Sequence, residues 1–177
     1  MRKSGEGKII LGIDPGFAIT GYGIIEVAGK SDIKMIDYGC ITTESKYEFP
    51  ERLEILHNEL EAVIKKYDPS LIAVEELFFC KNVKTALMVG HARGVILLGA
   101  IQNKIPLAEL TPLQVKQGIT GYGKADKRQM QKMVKIILGL KEIPSPDDAA
   151  DALAIAITAA NNNYPQINKS IHKFTNP

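Results

Sequence analysis

Residues 8–27 read KIILGIDPGFAITGYGIIEV. An apolar run ends in an acid, Asp14, and is broken by Pro15-Gly16, and a second run, TGYGIIEV (20–27), follows at once. Short apolar runs bounded by turn residues read as buried strands. KMIDYGCITT (34–43) supplies a third strand, joined to the second through Gly29-Lys30-Ser31-Asp32. Three strands with such short links predict an antiparallel meander. Beyond it, Leu53, Leu56, Leu60, Val63 and Ile64 recur at helical spacing between Phe49 and Tyr67, and Asp68-Pro69 ends that helix. LIAVEEL (71–77) reads as a fourth strand, residues 82–102 as a second helix and IPLAEL (105–110) as a fifth strand. Short helices are predicted at about 112–118 and 125–138, and a last one begins after Pro146. The order βββαβαβ followed by helices predicts an α/β fold with a central mixed five-stranded sheet and helices on both faces. Residues 1–161 are expected to form a single domain, and 162–177 a polar, poorly ordered tail.

The chain has 177 residues, 45% of them hydrophobic and 24% charged, which is ordinary for a globular protein. No 18-residue stretch is uniformly apolar, so no membrane span is expected. The basic start, MRKSGEGK, leads into too short an apolar run for a signal peptide, so a cytoplasmic protein is expected. Cys40 and Cys80 show no metal-ligand spacing and read as reduced core thiols. The net charge of +2 conceals an uneven distribution: residues 80–141 hold eleven Lys/Arg against Glu109 and Asp126 alone, a net of +9. Such a segment, flanked by acidic ones, suggests a surface for a polyanion.

The acids pose the sharper question. In PSPDDAADALAIAI (144–157) a helix apolar on nearly every side carries Asp147, Asp148 and Asp151. One acid at the helix start is explained as a cap. Asp151 lies past the cap and shares a face with Asp148. Two like charges on a buried helix need something positive between them, whether Lys, Arg or a metal ion. Asp14 ends the first strand, and Glu75 and Glu76 lie near the end of the fourth. If those strands are neighbours, their acids converge where sites in such sheets gather. Four hard oxygen ligands suit Mg²⁺ or Mn²⁺, and two such ions roughly 3.5–4 Å apart are the usual means of in-line phosphodiester hydrolysis.

ILGIDPG, TGYGII, IAVEELFF, GHARG, LTPLQVKQGITGYGKADKRQM and DDAADALAIAI together resemble the RuvC family of Holliday-junction resolvases, in order from Lys8 to Asn161. The resemblance implies an RNase H-like fold and metal-dependent cutting of a four-way DNA junction at symmetric positions, leaving 5′-phosphate and 3′-hydroxyl ends. It puts the catalytic, metal-binding tetrad on Asp14, Glu75, Asp148 and Asp151, with Glu76 a spare acid and Asp147 a cap. It places Lys116 and Lys127 near the scissile phosphate and backbone, and Phe78 against an unpaired base at the junction centre. It also implies a homodimer through the helix at 82–102, whose small residues Ala86, Gly90 and Gly94 would admit a second helix, and branch-migration partners of the RuvA/RuvB type. Lys124, Lys127 and Arg128, after the glycine turn GYGK, fit phosphate contacts on their own account.

Three other readings share these features. A related RNase H-like enzyme acting on RNA would differ in contacts to the 2′-hydroxyl. IDPG…TGYG also resembles the phosphate-binding hairpin of actin-like ATPases and sugar kinases, but these need two lobes, which 177 residues cannot supply. A silent junction-binding module has no use for all four acids.

Overall fold

The computed structural model of the chain describes residues 7–29, 32–76 and 83–162. The meander forms as predicted, from β1 (Lys8–Asp14), β2 (Ile19–Ala28) and β3 (Asp32–Thr42), all antiparallel. β4 (Leu71–Glu75) and β5 (Leu107–Leu110) are reached through α1 (Phe49–Tyr67) and α2 (Val83–Gln102). β4 runs parallel to β1 and β5 parallel to β4, so the sheet order is β3-β2-β1-β4-β5. α3 (Pro112–Thr120), α4 (Lys127–Ile137) and α5 (Asp147–Asn161) complete the fold. Beyond Asn162 the expected polar tail lies outside the described residues.

Two cores explain why the central strands read as nearly unbroken apolar runs. Alternate residues point to opposite faces, and both faces are covered. Ile9, Leu11 and Ile13 pack with Leu56, Leu60 and Ile64 of α1 and Ala92, Ile96 and Ala100 of α2. Ile10, Ala73 and Ala108 face α3, α4 and the alanine-rich α5. From Ala149 to Ala159 every residue of α5 is buried except Asp151.

α5 comes unusually close to the sheet because glycines lie beneath it. A Cβ on Gly12 would stand 2.2 Å from the Ala152 carbonyl oxygen, and one on Gly23 2.7 Å from the Leu153 nitrogen. These obstacles are backbone atoms that cannot swing aside. Gly12→Ala is therefore expected to cost about 3 kcal/mol through overpacking, read as a fall in the urea midpoint with little change in slope.

By length and composition alone α2 would suffice to cross a membrane, a test that the core helix of a soluble protein also passes. Its placement is that of a core helix on one side only: Ala92, Ile96 and Ala100 are fully buried, while Val83, Leu87, Leu98 and Ile101 stay exposed. Lys84 and Arg93 interrupt its apolar surface. Cys40 departs from expectation, lying half-buried on β3 instead of in the core; Cys80 is outside the described residues.

Candidate active site

β1 and β4 are adjacent and parallel, with Ile13 opposite Val74, so Asp14 and Glu75 emerge side by side at their carboxyl ends. Asp14 is also paired with Gly21 of β2. The backbone of Asp148 rests directly on Gly21, whose Cβ would lie 2.0 Å from the Asp148 carbonyl oxygen. The first turn of α5 thus crosses the sheet at the row that carries Asp14. One turn on, Asp151 lines a pocket of about 250 Å³ with Glu75, Lys116, Asp126 and Lys127, floored by Val115 and Met130.

The charges confirm this proximity. Burial, followed by repulsion from Glu75, Asp151 and Asp148, pushes the Asp14 carboxyl up to about 7 from its ordinary 3.8, against a lowering influence of Lys127. Burial and Asp151 push Glu75 up to about 7, while Lys116 opposes them. Asp151 is raised as well, mainly by burial, with Lys127 working against it. The four predicted acids therefore meet at one rim of the sheet. Glu76, next in the chain to Glu75, donates its backbone N–H to the Leu110 carbonyl at 2.8 Å.

The positive charge sought for α5 is Lys127. Its ammonium stands 3.2 Å from Asp147 and 3.2 Å from Asp151. Burial disfavours the charged ammonium, but these two acids more than offset it and raise its pKa. The reading of Asp147 as a cap does not hold: Pro146 occupies the N-cap, and the Asp147 carboxylate takes Lys127 and the Gln131 amide (2.9 Å) instead. Among the described residues, no three acid, His or Cys side chains are drawn into one coordination cluster. The donor set nonetheless fits a divalent cation: hard oxygens, part-buried, with the Asp14 and Glu75 carboxyls pushed up to about 7 by burial and neighbouring acids that a cation would offset.

Among the predicted nucleic-acid contacts, Lys116 and Lys127 line the pocket, and Lys124 and Arg128 are exposed. The α4 N-terminus is less open to phosphate than expected. Asp126 caps it, accepting the Gln129 N–H at 2.8 Å, while Gln129 returns a bond to the Asp126 N–H at 3.0 Å. The lysine and arginine side chains are left to act there. Both acids of the basic segment are engaged within it, Glu109 by Arg93 and Asp126 in this cap. Phe78 lies outside the described residues.

Sequence reasoning missed the brace behind Asp14. Thr43 Oγ1 donates to the Phe17 carbonyl at 2.6 Å, Arg52 donates to the Thr43 carbonyl at 3.0 Å, and its guanidinium lies 3.9 Å over the Phe17 ring. Phe17 stacks on Phe49 at 5.0 Å. These contacts fix the Pro15–Phe17 turn to the start of α1. Residues 26 and 35 positions from Phe17 in sequence leave no local signal of it.

A central sheet with three antiparallel and two parallel strands, acids at the ends of adjacent parallel strands and an acid-bearing helix across them define an RNase H-like domain. The family model "Crossover junction endodeoxyribonuclease RuvC" matches residues 10–159. The RuvC of Caldicellulosiruptor saccharolyticus is 60% identical over 148 residues, covering 84% of this chain and 89% of that one. The RuvC of Alkaliphilus oremlandii is 56% identical over 162 residues, covering 91% and 98%. Thermus thermophilus RuvC, solved in complex with a Holliday junction substrate, superposes with a TM-score of 0.82 at 37% identity, over 86% of this chain and 93% of that chain. The chain belongs to the RuvC family of crossover junction endodeoxyribonucleases.

Proposed function

We propose that this protein resolves four-way DNA junctions by hydrolysing phosphodiester bonds at symmetric positions, leaving 5′-phosphate and 3′-hydroxyl ends, in recombination and repair. The observation that carries the reading is the meeting of Asp14, Glu75, Asp148 and Asp151 at one sheet rim, within a chain whose relatives are named for this activity. These four carboxylates would hold divalent cations, Mg²⁺ with Mn²⁺ as substitute, two per site, which would supply Lewis acidity to the phosphate and lower the pKa of the attacking water.

The chain's own residues do the rest. Burial of Asp14 and Glu75 removes competing water and strengthens every charge interaction at the rim. Lys116, across the pocket from Asp151 and close enough to Glu75 to affect its proton, faces the phosphate being cut. Lys124, Lys127 and Arg128 hold the flanking backbone, and Phe78 stacks at the junction centre. Lys127, 3.2 Å from both Asp147 and Asp151, occupies the positive position that a cation on Asp151 would share. Lys116→Ala is expected to slow cleavage about 10²-fold while weakening junction binding only a few fold, measured by single-turnover cutting alongside gel-shift titration. Equal losses in both would make Lys116 a plain phosphate anchor.

Residues 1–161 act as one domain, and two copies act together in the cytoplasm, since a junction presents two symmetric strands. The uncovered side of α2 supports a dimer: Val83, Leu87 and Leu98 are 72%, 61% and 53% exposed, a cost for an isolated chain. Branch-migration proteins of the RuvA/RuvB type deliver the junction. The test is to incubate the protein with a synthetic four-way junction, a nicked duplex and a structured RNA, with and without Mg²⁺. Symmetric, Mg²⁺-dependent cutting of the junction alone supports the proposal; preferential cutting of the RNA, or binding with no cutting, overturns it.

A further inference from the structure

We infer that Gly21 and Cys40 are positioning residues, forming the seat that sets the Asp14-to-Asp148 spacing; this rests on reading those acids as the cation site. Asp14, Gly21 and Cys40 are register partners across β1, β2 and β3. Directly paired residues share a sheet face, so the row presents a carboxylate, a bare Cα and a thiol to the same side. The first turn of α5 lies on that side. At Gly21 an added Cβ would stand 2.0 Å from the Asp148 carbonyl oxygen, 2.4 Å from its carbonyl carbon and 3.1 Å from the Ala149 nitrogen. Ordinary contact begins at 3.4 Å, so any side chain there must move the turn by well over an ångström. The Ala149 N–H bonds the Pro146 carbonyl at 3.1 Å, and the Cys40 thiol lies close enough to that N–H to be influenced by it. Both Asp148 and Asp14 are near enough for their charge to act on the thiol. Glycine therefore sets how low the turn sits, and the cysteine stands beside it in the same row, next to the Ala149 amide.

Neither residue has a side-chain oxygen to offer a cation. Their effect is on where a ligand stands, and supports of this kind typically alter metal affinity about 10–100-fold when lost. Sequence alone marks neither: TGYG reads as an ordinary glycine-bearing strand and Cys40 as a core thiol.

The test is an electron paramagnetic resonance titration of the metal-free protein with Mn²⁺, made well below each variant's melting temperature, with Asp148→Asn as reference. Gly21→Ala is expected to weaken Mn²⁺ binding at least about tenfold and Cys40→Ala about 3–10-fold, while Cys40→Ser, which keeps an acceptor for the Ala149 N–H, stays within about twofold of the parent. Should Gly21→Ala not fold, the Cys40 pair decides. Parent-like affinity in Cys40→Ala or in folded Gly21→Ala, or an equal loss in Cys40→Ser and Cys40→Ala, overturns the inference. Parent-like binding by Asp148→Asn instead overturns the reading of the acids.

Discussion

Asp14→Asn and Glu75→Gln are each expected to cut junction cleavage by about 10³-fold or more while leaving junction binding within a few fold of the parent. The reason lies in what these carboxylates face. Asp14 feels Glu75, Asp151 and Asp148 before any cation, so its charge is arranged to meet positive ions and would repel a phosphate. Removing it deletes a cation ligand without deleting a phosphate contact. Affinity for the junction is expected to come from the basic segment of residues 80–141, net +9, and to fall with salt in both parent and variants. Single-turnover cleavage and gel-shift titration in Mg²⁺ and in Ca²⁺ give the two numbers. Binding lost in step with cutting would place these acids in a structural role.

Raising the pH from about 4 to 8 without divalent cations is expected to destabilise the folded protein, and Mg²⁺ to reverse much of the loss. The sign follows from the carboxyls. Asp14 and Glu75 ordinarily ionise near 3.8 and 4.5, but in the fold burial and neighbouring acids hold them to about 7. Between these values the folded state binds more protons than the unfolded one, so stability falls as pH rises and the penalty is complete above about 7. Asp14→Asn removes an acid from the cluster. In metal-free buffer at pH 8 it should be more stable than the parent by about 2 kcal/mol, and its stability should vary less with pH. This inverts the usual cost of altering a half-buried polar residue. Thermal or urea unfolding of the two proteins at pH 5 and pH 8, with and without Mg²⁺, measures it. A parent that gains stability toward pH 8 without metal contradicts the electrostatic account.

Much of this was readable from the chain because the signals were local. Asp14 before Pro15-Gly16, the apolar runs of β1, β2 and β4, and the helical spacing of Leu53, Leu56 and Leu60 announce their elements within a few residues of sequence. The carboxylates could be predicted to meet because strand ends and a helix start offer few places for acids to go. What stayed hidden depends on contact across the fold. Gly12, Gly21 and Gly23 act through α5, more than 120 residues later in the chain, and nothing in TGYG names the helix above it. The Arg52–Thr43–Phe17 brace and the Lys127 bridge to Asp147 and Asp151 likewise join separate elements. Asp147 shows the limit of local rules. An acid at a helix start predicts a cap, but Lys127 and Gln131 of α4 offer it better partners. α2 shows another: its composition alone cannot tell a membrane helix from one with a single buried side.

The most direct measurement is a calorimetric titration of Mg²⁺ into the metal-free parent and into Asp14→Asn and Asp151→Asn. If residues from β1 and from α5 bind the same ions, the parent takes up Mg²⁺ and each substitution alone weakens uptake at least about tenfold. Isotherms indistinguishable from the parent's in both variants would mean that the carboxylates at this rim do not share a cation.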